Sequence, residues 1–280
     1  MGISRLAGAF VRAPHTLFTG PYQPAAAQST SVLFRRYASA MASSHTTSVA
    51  RAVRQFSTNP TAAIYGKTAW EKYFGNVDVT TEPPLRSDME AIWASPCPVK
   101  GKGYTIADTH SLVLVPPHVR MPYTGEWKPL ILSTLGELVQ RPRGGGNATR
   151  YNQFQLGVYP DLPTEKAHWS LICSYPLDRS RYQTYPRQAA MVQELAKRVQ
   201  IPYEVPAILD MTVYAFMAYT QAGYRPFGTD PMTYIRCREP FNSEQGCQMT
   251  IGGFSRDGLN ISYLPCNSGA EYAMTVMWRI

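Results

Sequence analysis

Asp108-Thr109-His110 stands directly before an apolar run, Ser111 to Val115. If that strand extends back, alternation puts Asp108 and His110 on one face. His168 stands just before, and Cys173 within, a second strand-like run, Trp169 to Ser174. The four residues make a Cys/His/Asp set in which an imidazole takes the thiol proton and a carboxylate orients the ring. No nucleophile elbow or H-E-x-x-H pattern surrounds them, so the competing reading is a structural histidine bonded to a neighbouring turn.

Asp210 is a carboxylate inside the most apolar stretch of the chain. Burying it charged costs several kcal/mol unless it is paired, so it either meets partners near a helix N-terminus or lines a cleft. Tyr214, one turn on, is the expected partner. The segment Arg141-Pro142-Arg143-Gly144-Gly145-Gly146-Asn147, with Arg150 beyond it, offers backbone amides and guanidinium groups to a phosphate or other ligand. It lacks the G-K-[ST] ending of a nucleotide loop. Arg179, Arg181, Tyr182, Tyr185 and Arg187 form a second basic and aromatic stretch suited to stacking on one RNA strand, or to a solvated loop. The five cysteines, Cys97, Cys173, Cys237, Cys247 and Cys266, include no C-x-x-C pair and no His at finger spacing. Neither a zinc site nor a redox dithiol is suggested, no cofactor is called for, and free buried thiols are expected.

The elements that must position these groups predict an α+β domain. Ser87 and Glu90 match a capping box at the start of a short helix, and Ser133 suits the start of another through Leu138. Thr184 and Pro186 begin an amphipathic helix reaching about residue 200, with Met191, Val192, Leu195, Ala196 and Val199 on its inner side. A second helix follows from about 206 to 222, apolar nearly all round and closed by Gly223, so it belongs at the centre. At 15 residues, interrupted by Asp210 and Thr212, the run Val205 to Tyr219 is too short to cross a bilayer. The last third reads as antiparallel strands, Met232 to Arg238, Gln248 to Phe254, Leu259 to Leu264 and Ala270 to Trp278, on which the two adjacent helices pack. Cys237 and Cys247 are placed to face each other across a hairpin.

The first seventy residues hold no Asp or Glu, while Arg5, Arg12, Arg35, Arg36, Arg51 and Arg54 punctuate a Ser/Ala/Thr-rich background. That composition is expected of a disordered mitochondrial presequence, since the matrix-negative potential draws cations inward and carboxylates would oppose it. Arg54-Gln55-Phe56 before Ser57 fits a processing site, as does Arg35-Arg36-Tyr37 before Ala38, and Ser57 is favoured. The division expected is therefore 1–56 presequence, 57–69 linker and 70–280 domain, with the import machinery as a first partner and the matrix as destination. The whole chain has 27 Lys+Arg against 19 Asp+Glu. Seven of the bases precede the first acid, Glu71, leaving 20 against 19. The basic balance thus reports addressing, and nucleic-acid contact would have to be local.

Eight short runs in order along the domain, Trp70–Gly75, Glu82–Leu85, Ser95–Pro98, Asp108–His110, Leu135–Leu138, Tyr203–Pro206, Thr233–Cys237 and Gly252–Phe254, carry a resemblance. They resemble an uncharacterised domain that recurs in proteins of amoeba-associated chlamydiae. The resemblance spans Trp70 to the C-terminus and implies kinship without an activity to transfer. The leader departs from it, and implies either a eukaryotic mitochondrial protein or a bacterial product addressed to host mitochondria.

Three classes of function follow. A non-catalytic interaction or accessory component comes first, because the body is electrically balanced and rich in tyrosine and tryptophan, residues that suit interfaces as well as cores. A hydrolase or transferase using Asp108, His110, His168 and Cys173 is the second. An RNA-associated component using the two arginine stretches is the third.

Overall fold

The computed structural model describes residues 63–79, 82–154, 162–242, 246–267, 269 and 271–280. The expected presequence and its processing residues Arg54, Phe56 and Ser57 lie outside them. The protein is α+β, with ten strands in three sheets among the described residues.

The first sheet has the order β1 (Ile64–Tyr65), β2 (His110–Val115), β6 (His168–Cys173), β10 (Met277–Arg279). Every residue of β2 and β6 is buried, which is why these strands read as continuous apolar runs with no alternation. β1 runs parallel to β2, so the domain begins before Trp70, and Ile64 and Tyr65 are part of it rather than linker. A hairpin, β3 (His118–Arg120) and β4 (Trp127–Pro129), forms a second sheet. The third has the order β5 (Tyr151–Gln153), β9 (Gly258–Pro265), β8 (Cys247–Ser255), β7 (Tyr234–Asn242).

One expectation about the C-terminal sheet is corrected. Ala270 to Trp278 does not supply its fourth strand; only Met277–Arg279 is a strand, and it pairs with β6. The free edge of β9 is filled instead by β5, running parallel. Cys247 pairs with Asn242 in the β7–β8 register rather than facing Cys237, and all five cysteines are free.

Six helices lie among the described residues: α1 (Lys67–Tyr73), α2 (Met89–Ala94), α3 (Ile106–Thr109), α4 (Leu132–Val139), α5 (Tyr185–Val199) and α6 (Ile208–Ala222). α6 is the centre of the molecule. It packs on β2 and β6 of the first sheet and on β7 and β8 of the third, and it touches α1 and α4. A helix held between two sheets needs apolar residues on nearly every side, and twelve of its side chains are buried. Its N-cap residue, Ala207, has no side chain to offer. The Glu239 carboxylate on β7 fills the role by accepting the Ile208 amide at 2.8 Å. At the other end Gly223 takes the left-handed conformation, φ 68°, and returns its amide to the Tyr219 carbonyl. No helix among the described residues is long and apolar enough to cross a membrane.

α5 is amphipathic as its sequence requires, with Gln188, Val192 and Leu195 innermost. The buried Gln188 bonds the Ser180 and Tyr272 carbonyls and accepts from Arg236, so it ties α5 to the C-terminal segment and to β7. The capping box lies elsewhere than expected. Ser87 and Asp88 are spent in a turn in which Asp88 pairs with Arg86, and α2 starts at Met89. The box forms at Thr105 and Asp108, opening α3.

Candidate functional site

The Thr105–Asp108 box decides the geometry of the first candidate cluster. Asp108 Oδ2 accepts the Thr105 amide at 2.8 Å and the Thr105 hydroxyl at 2.7 Å, so its carboxylate is spent turning the chain into α3. The strand begins only at His110, and Asp108 does not share a strand face with it. Within the sheet, His110 is the direct cross-strand partner of Cys173. Paired residues lie on one face, with Leu112 and Leu171 following them. His168 is at the opposite end of the ladder, beside Val115, and its parity puts it on the other face. The structure therefore brings His110 and Cys173 together and holds Asp108 and His168 apart from them.

His110 is fully buried, between the Thr109 hydroxyl at 2.9 Å from Nδ1 and the Tyr203 hydroxyl at 3.1 Å from Nε2. Its ring stacks on Tyr203, 5.8 Å between centroids and 25° between planes. Burial pushes the imidazole down to about 3, so it stays neutral at physiological pH. Cys97 lies in the turn after α2, and its Sγ accepts the Lys100 amide at 3.2 Å. Its polar surroundings, the Cys173 thiol first, outweigh burial and draw Cys97 down to about 5. Burial, followed by the neighbouring Cys97, pushes Cys173 well up.

A second cluster forms around Asp210. Its first-turn position in α6 points the carboxylate at β6, where His168 and Ser170 share a face by alternation. His168 Nε2 donates to Oδ1 at 2.8 Å, the Ser170 hydroxyl donates to the same oxygen, and Arg279 of β10 donates to Oδ2 at 3.1 Å. Burial is the largest influence on Asp210 and pushes its carboxyl up. His168, Arg279 and Ser170 together overcome it and hold the group below the usual range. Tyr214, the expected partner, bonds the Ser174 hydroxyl at 2.6 Å instead. Aspartate, histidine and serine meet here without forming a catalytic relay. Serine and imidazole both donate to the carboxylate, and the other ring nitrogen faces the Lys166 carbonyl at 3.2 Å and the Thr164 hydroxyl at 3.4 Å.

The glycine-rich loop closes helix ends. The Arg143 amide donates to the Tyr73 carbonyl in the last turn of α1 at 2.7 Å. The Asn147 amide donates to the Thr220 carbonyl of α6 at 2.9 Å, and the Asn147 side chain to Tyr219 at 3.1 Å. The Tyr73 and Thr220 carbonyls are among those that a helix cannot satisfy by itself, while Tyr219 also holds the Gly223 amide. Gly144 and Gly146 are needed for the fit. A Cβ on Gly144, whose φ is 60°, would lie 2.8 Å from the Lys72 carbonyl oxygen, and one on Gly146 would lie 2.6 Å from Thr220 Cγ2. Gly145, φ 74°, has open space around it. Arg150 donates to the Asp257 carbonyl at 3.1 Å. In the second basic stretch, Arg181 is tied to the Glu271 carbonyl at 2.9 Å and the Thr233 hydroxyl at 3.0 Å, and Arg187 pairs with Glu194 at 3.0 Å.

Arg141 and Arg143 lead instead to the β3–β4 hairpin. Arg143 donates to the Pro122 carbonyl at 2.6 Å, and the Tyr123 hydroxyl donates to the Arg141 carbonyl at 3.1 Å. The Arg141 guanidinium sits 5.9 Å from the Tyr123 ring centroid. Arg120 and Arg143 line a recess of about 260 Å³ with Asn76 and Pro122. On the same hairpin Tyr123 is 67% exposed and Trp127 48%.

No known protein family, curated protein or solved structure matches this chain. The site is therefore read from its own residues.

Sequence reasoning missed Cys97, Thr109, Tyr203, Ser170 and Arg279. Only the first had a local signal: a cysteine between Pro96 and Pro98 is fixed in a turn, where successive amides can converge on its sulfur. Among the described residues, no group of three or more His, Cys, Asp or Glu side chains is arranged to hold a metal ion.

Proposed function

We propose that this chain is a non-catalytic interaction or accessory protein of the mitochondrial matrix that engages an acidic protein partner through its β3–β4 hairpin. The observation carrying this reading is the pairing of two exposed large aromatics, Tyr123 and Trp127, with Arg120, Arg141 and Arg143 on and beside one hairpin. Tyrosine, tryptophan and arginine are the residues that dominate binding energy at interfaces, and three guanidinium groups favour a carboxylate-bearing surface. Supporting it from the other side, the side chains that first suggested catalysis are committed internally: Asp108 to a cap, His110 between two hydroxyls, and His168 to Asp210. The acid-free, arginine-bearing leader supports the location, and the likeness to the chlamydial domain fits a protein without transferable chemistry.

The test is cross-linking in intact mitochondria with tagged wild type and with Tyr123→Ser/Trp127→Ser. The reading expects one partner captured by the wild type and lost from the variant, while circular dichroism and thermal midpoint are unchanged. A lone monomer, or capture indifferent to the variant, overturns it. Nuclease-protected RNA in place of a protein would transfer the surface to the RNA-associated reading. Location is tested separately by fusing residues 1–60 to a fluorescent reporter and replacing the six leader arginines with Gln, which should abolish mitochondrial accumulation.

A further inference from the structure

Arg120, at the end of β3, and Arg143, in the glycine-rich loop, line one recess of about 260 Å³. Among the described residues neither forms an ion pair. Each guanidinium is held by a main-chain carbonyl instead, Arg120 Nε donating to Gly125 at 2.9 Å and Arg143 Nη2 to Pro122 at 2.6 Å. Such bonds orient the groups without neutralising them, and each uses one of a guanidinium's five N–H donors. The carboxylates that do pair with the hairpin, Asp78 and Glu137, take His118 and Lys128. The frame around the two arginines is fixed. The Arg120 amide donates to the Asn76 carbonyl and the Arg143 amide to the Tyr73 carbonyl, both at 2.7 Å. Gly75 lets the chain pass this close, since a Cβ there, at φ 127°, would lie 2.6 Å from the Arg120 carbonyl oxygen. Trp127 is the cross-strand partner of Arg120, so its exposed ring stands on the same face of the hairpin.

We propose that this recess is a phosphoryl-binding site, and that the phosphoryl group is carried on a side chain of the acidic partner of the hairpin. The identity of the carrier rests on the proposed interaction function; the affinity for the group does not. A carboxylate brings one charge and two coplanar oxygens, which a single guanidinium fork satisfies, and it would leave the second arginine uncompensated. A phosphorylated side chain brings about −1.5 to −2 charges at pH 7 and three acceptor oxygens, which two guanidinium groups match in charge and in donors. The backbone amides of the loop take no part, because those of Arg143 and Asn147 close the ends of α1 and α6. Recognition is therefore by side chains. Trp127, beside Arg120, offers the apolar area that the anion lacks and takes the partner residue next to the phosphorylated one.

The experiment is a calorimetric titration of the full chain with inorganic phosphate and, separately, with acetate at low ionic strength, joined to NMR of the arginine Nε–H signals. Phosphate should bind about tenfold tighter than acetate and shift the Arg120 and Arg143 signals. Arg120→Gln and Arg143→Gln should each weaken phosphate binding about tenfold, the effect of one charge-assisted hydrogen bond. Arg150→Gln, outside the recess, should leave it unchanged. Phosphate bound no better than acetate, or affinity indifferent to both recess substitutions, would overturn the site; the wild-type NMR shifts decide this even where a variant fails to fold. The carrier is tested by capture from mitochondrial lysate with and without prior phosphatase treatment, which should abolish capture. Capture that needs Tyr123 and Trp127 but survives phosphatase would overturn the phosphorylated carrier and spare the hairpin reading. Phosphate binding with no partner captured would overturn both the carrier and the hairpin reading, and leave free phosphate or a small phosphate ester as the occupant.

Discussion

Asp210→Asn isolates what a buried charge contributes at the heart of this fold. The substitution keeps shape, and an Asn oxygen in place of Oδ1 can still accept from His168 and Ser170, which both use that atom. Lost are the charge assistance of those two bonds and the pairing with Arg279, whose donors would then face an amide N–H₂. A hydrogen bond to a charged group is worth about 1–2 kcal/mol more than a neutral one. Arg279 is 35% exposed, so solvent screening holds its share to about 1 kcal/mol or less. The expected cost is about 2–4 kcal/mol, a large part of the 5–15 kcal/mol that keeps a domain folded. Urea unfolding at pH 7 should show it as a midpoint lowered by about 0.7–2 M at unchanged slope, for a slope of about 2–3 kcal/mol/M. Because the folded carboxyl is held below its ordinary range, its contribution is complete above about pH 4 and is lost as the pH falls through the depressed folded value. Wild type and variant should therefore run parallel from pH 8 to 5 and converge in stronger acid. A midpoint shift under about 0.3 M, or a difference that persists unchanged at pH 2, would refute the argument.

Substitutions at three other positions follow from the same reasoning. His110 is neutral in the fold and drops to about 3, so the wild type should lose stability as the pH falls from about 6.5 toward that value, by up to about 1.4 kcal/mol per unit. His110→Gln should flatten that part of the urea-midpoint profile. Gly252→Ala places a Cβ 2.1 Å from the Thr233 carbonyl oxygen at a φ of 153°, and thermal unfolding should show a loss of about 2 kcal/mol or more, with β7 displaced. Glu239→Gln keeps an acceptor for the Ile208 amide and removes a carboxylate that burial pushes up, so chemical denaturation at pH 7 should find it neutral or stabilising, whereas Glu239→Ala should cost about 1–2 kcal/mol as a lost cap.

What was legible in the chain was what local physics decides. The span of α6 could be read because a helix between two sheets has no polar side, and its end because Gly223 can take φ 68° without strain. α5 could be read because its polar and apolar residues alternate at helical spacing, and β6 to β9 because strands bounded by turn residues announce themselves. β10 was misassigned for the opposite reason. Ala273, Met274, Val276 and Met277 are all buried, but only Met277–Arg279 finds a ladder partner, in β6, more than a hundred positions earlier. Likewise β5 is three residues long and gains its place from β9. Ser87 and Glu90 have the types of a capping box, but Arg86 captures Asp88 and turns the chain first. In the candidate site, His110 and Cys173 are cross-strand partners because one opens β2 and the other closes β6, a pairing that strand lengths can suggest, whereas the place of Cys97 depends on how the α2–α3 loop folds.

The residues that looked catalytic are explained by a requirement of the fold itself. β2 and β6 are buried on both faces, so any polar side chain they carry must find its partner inside the protein. His110 meets Tyr203 on one face; Ser170 and His168 meet Asp210 on the other. The second of these solutions also positions α6. Two carboxylates, Asp210 and Glu239, converge on its N-terminus, where the helix presents unpaired amides and a positive dipole end. They are opposed in character. Three donors hold Asp210 below its normal range, while Glu239, chiefly through burial and in part through Asp210 itself, is pushed above it. An ionised Asp210 thus makes Glu239 harder to ionise, and the helix end accommodates one firmly held negative charge and one acceptor that tolerates neutrality. Asp210 therefore serves as an anchor, binding α6 to the first sheet from the face opposite His110 and Cys173.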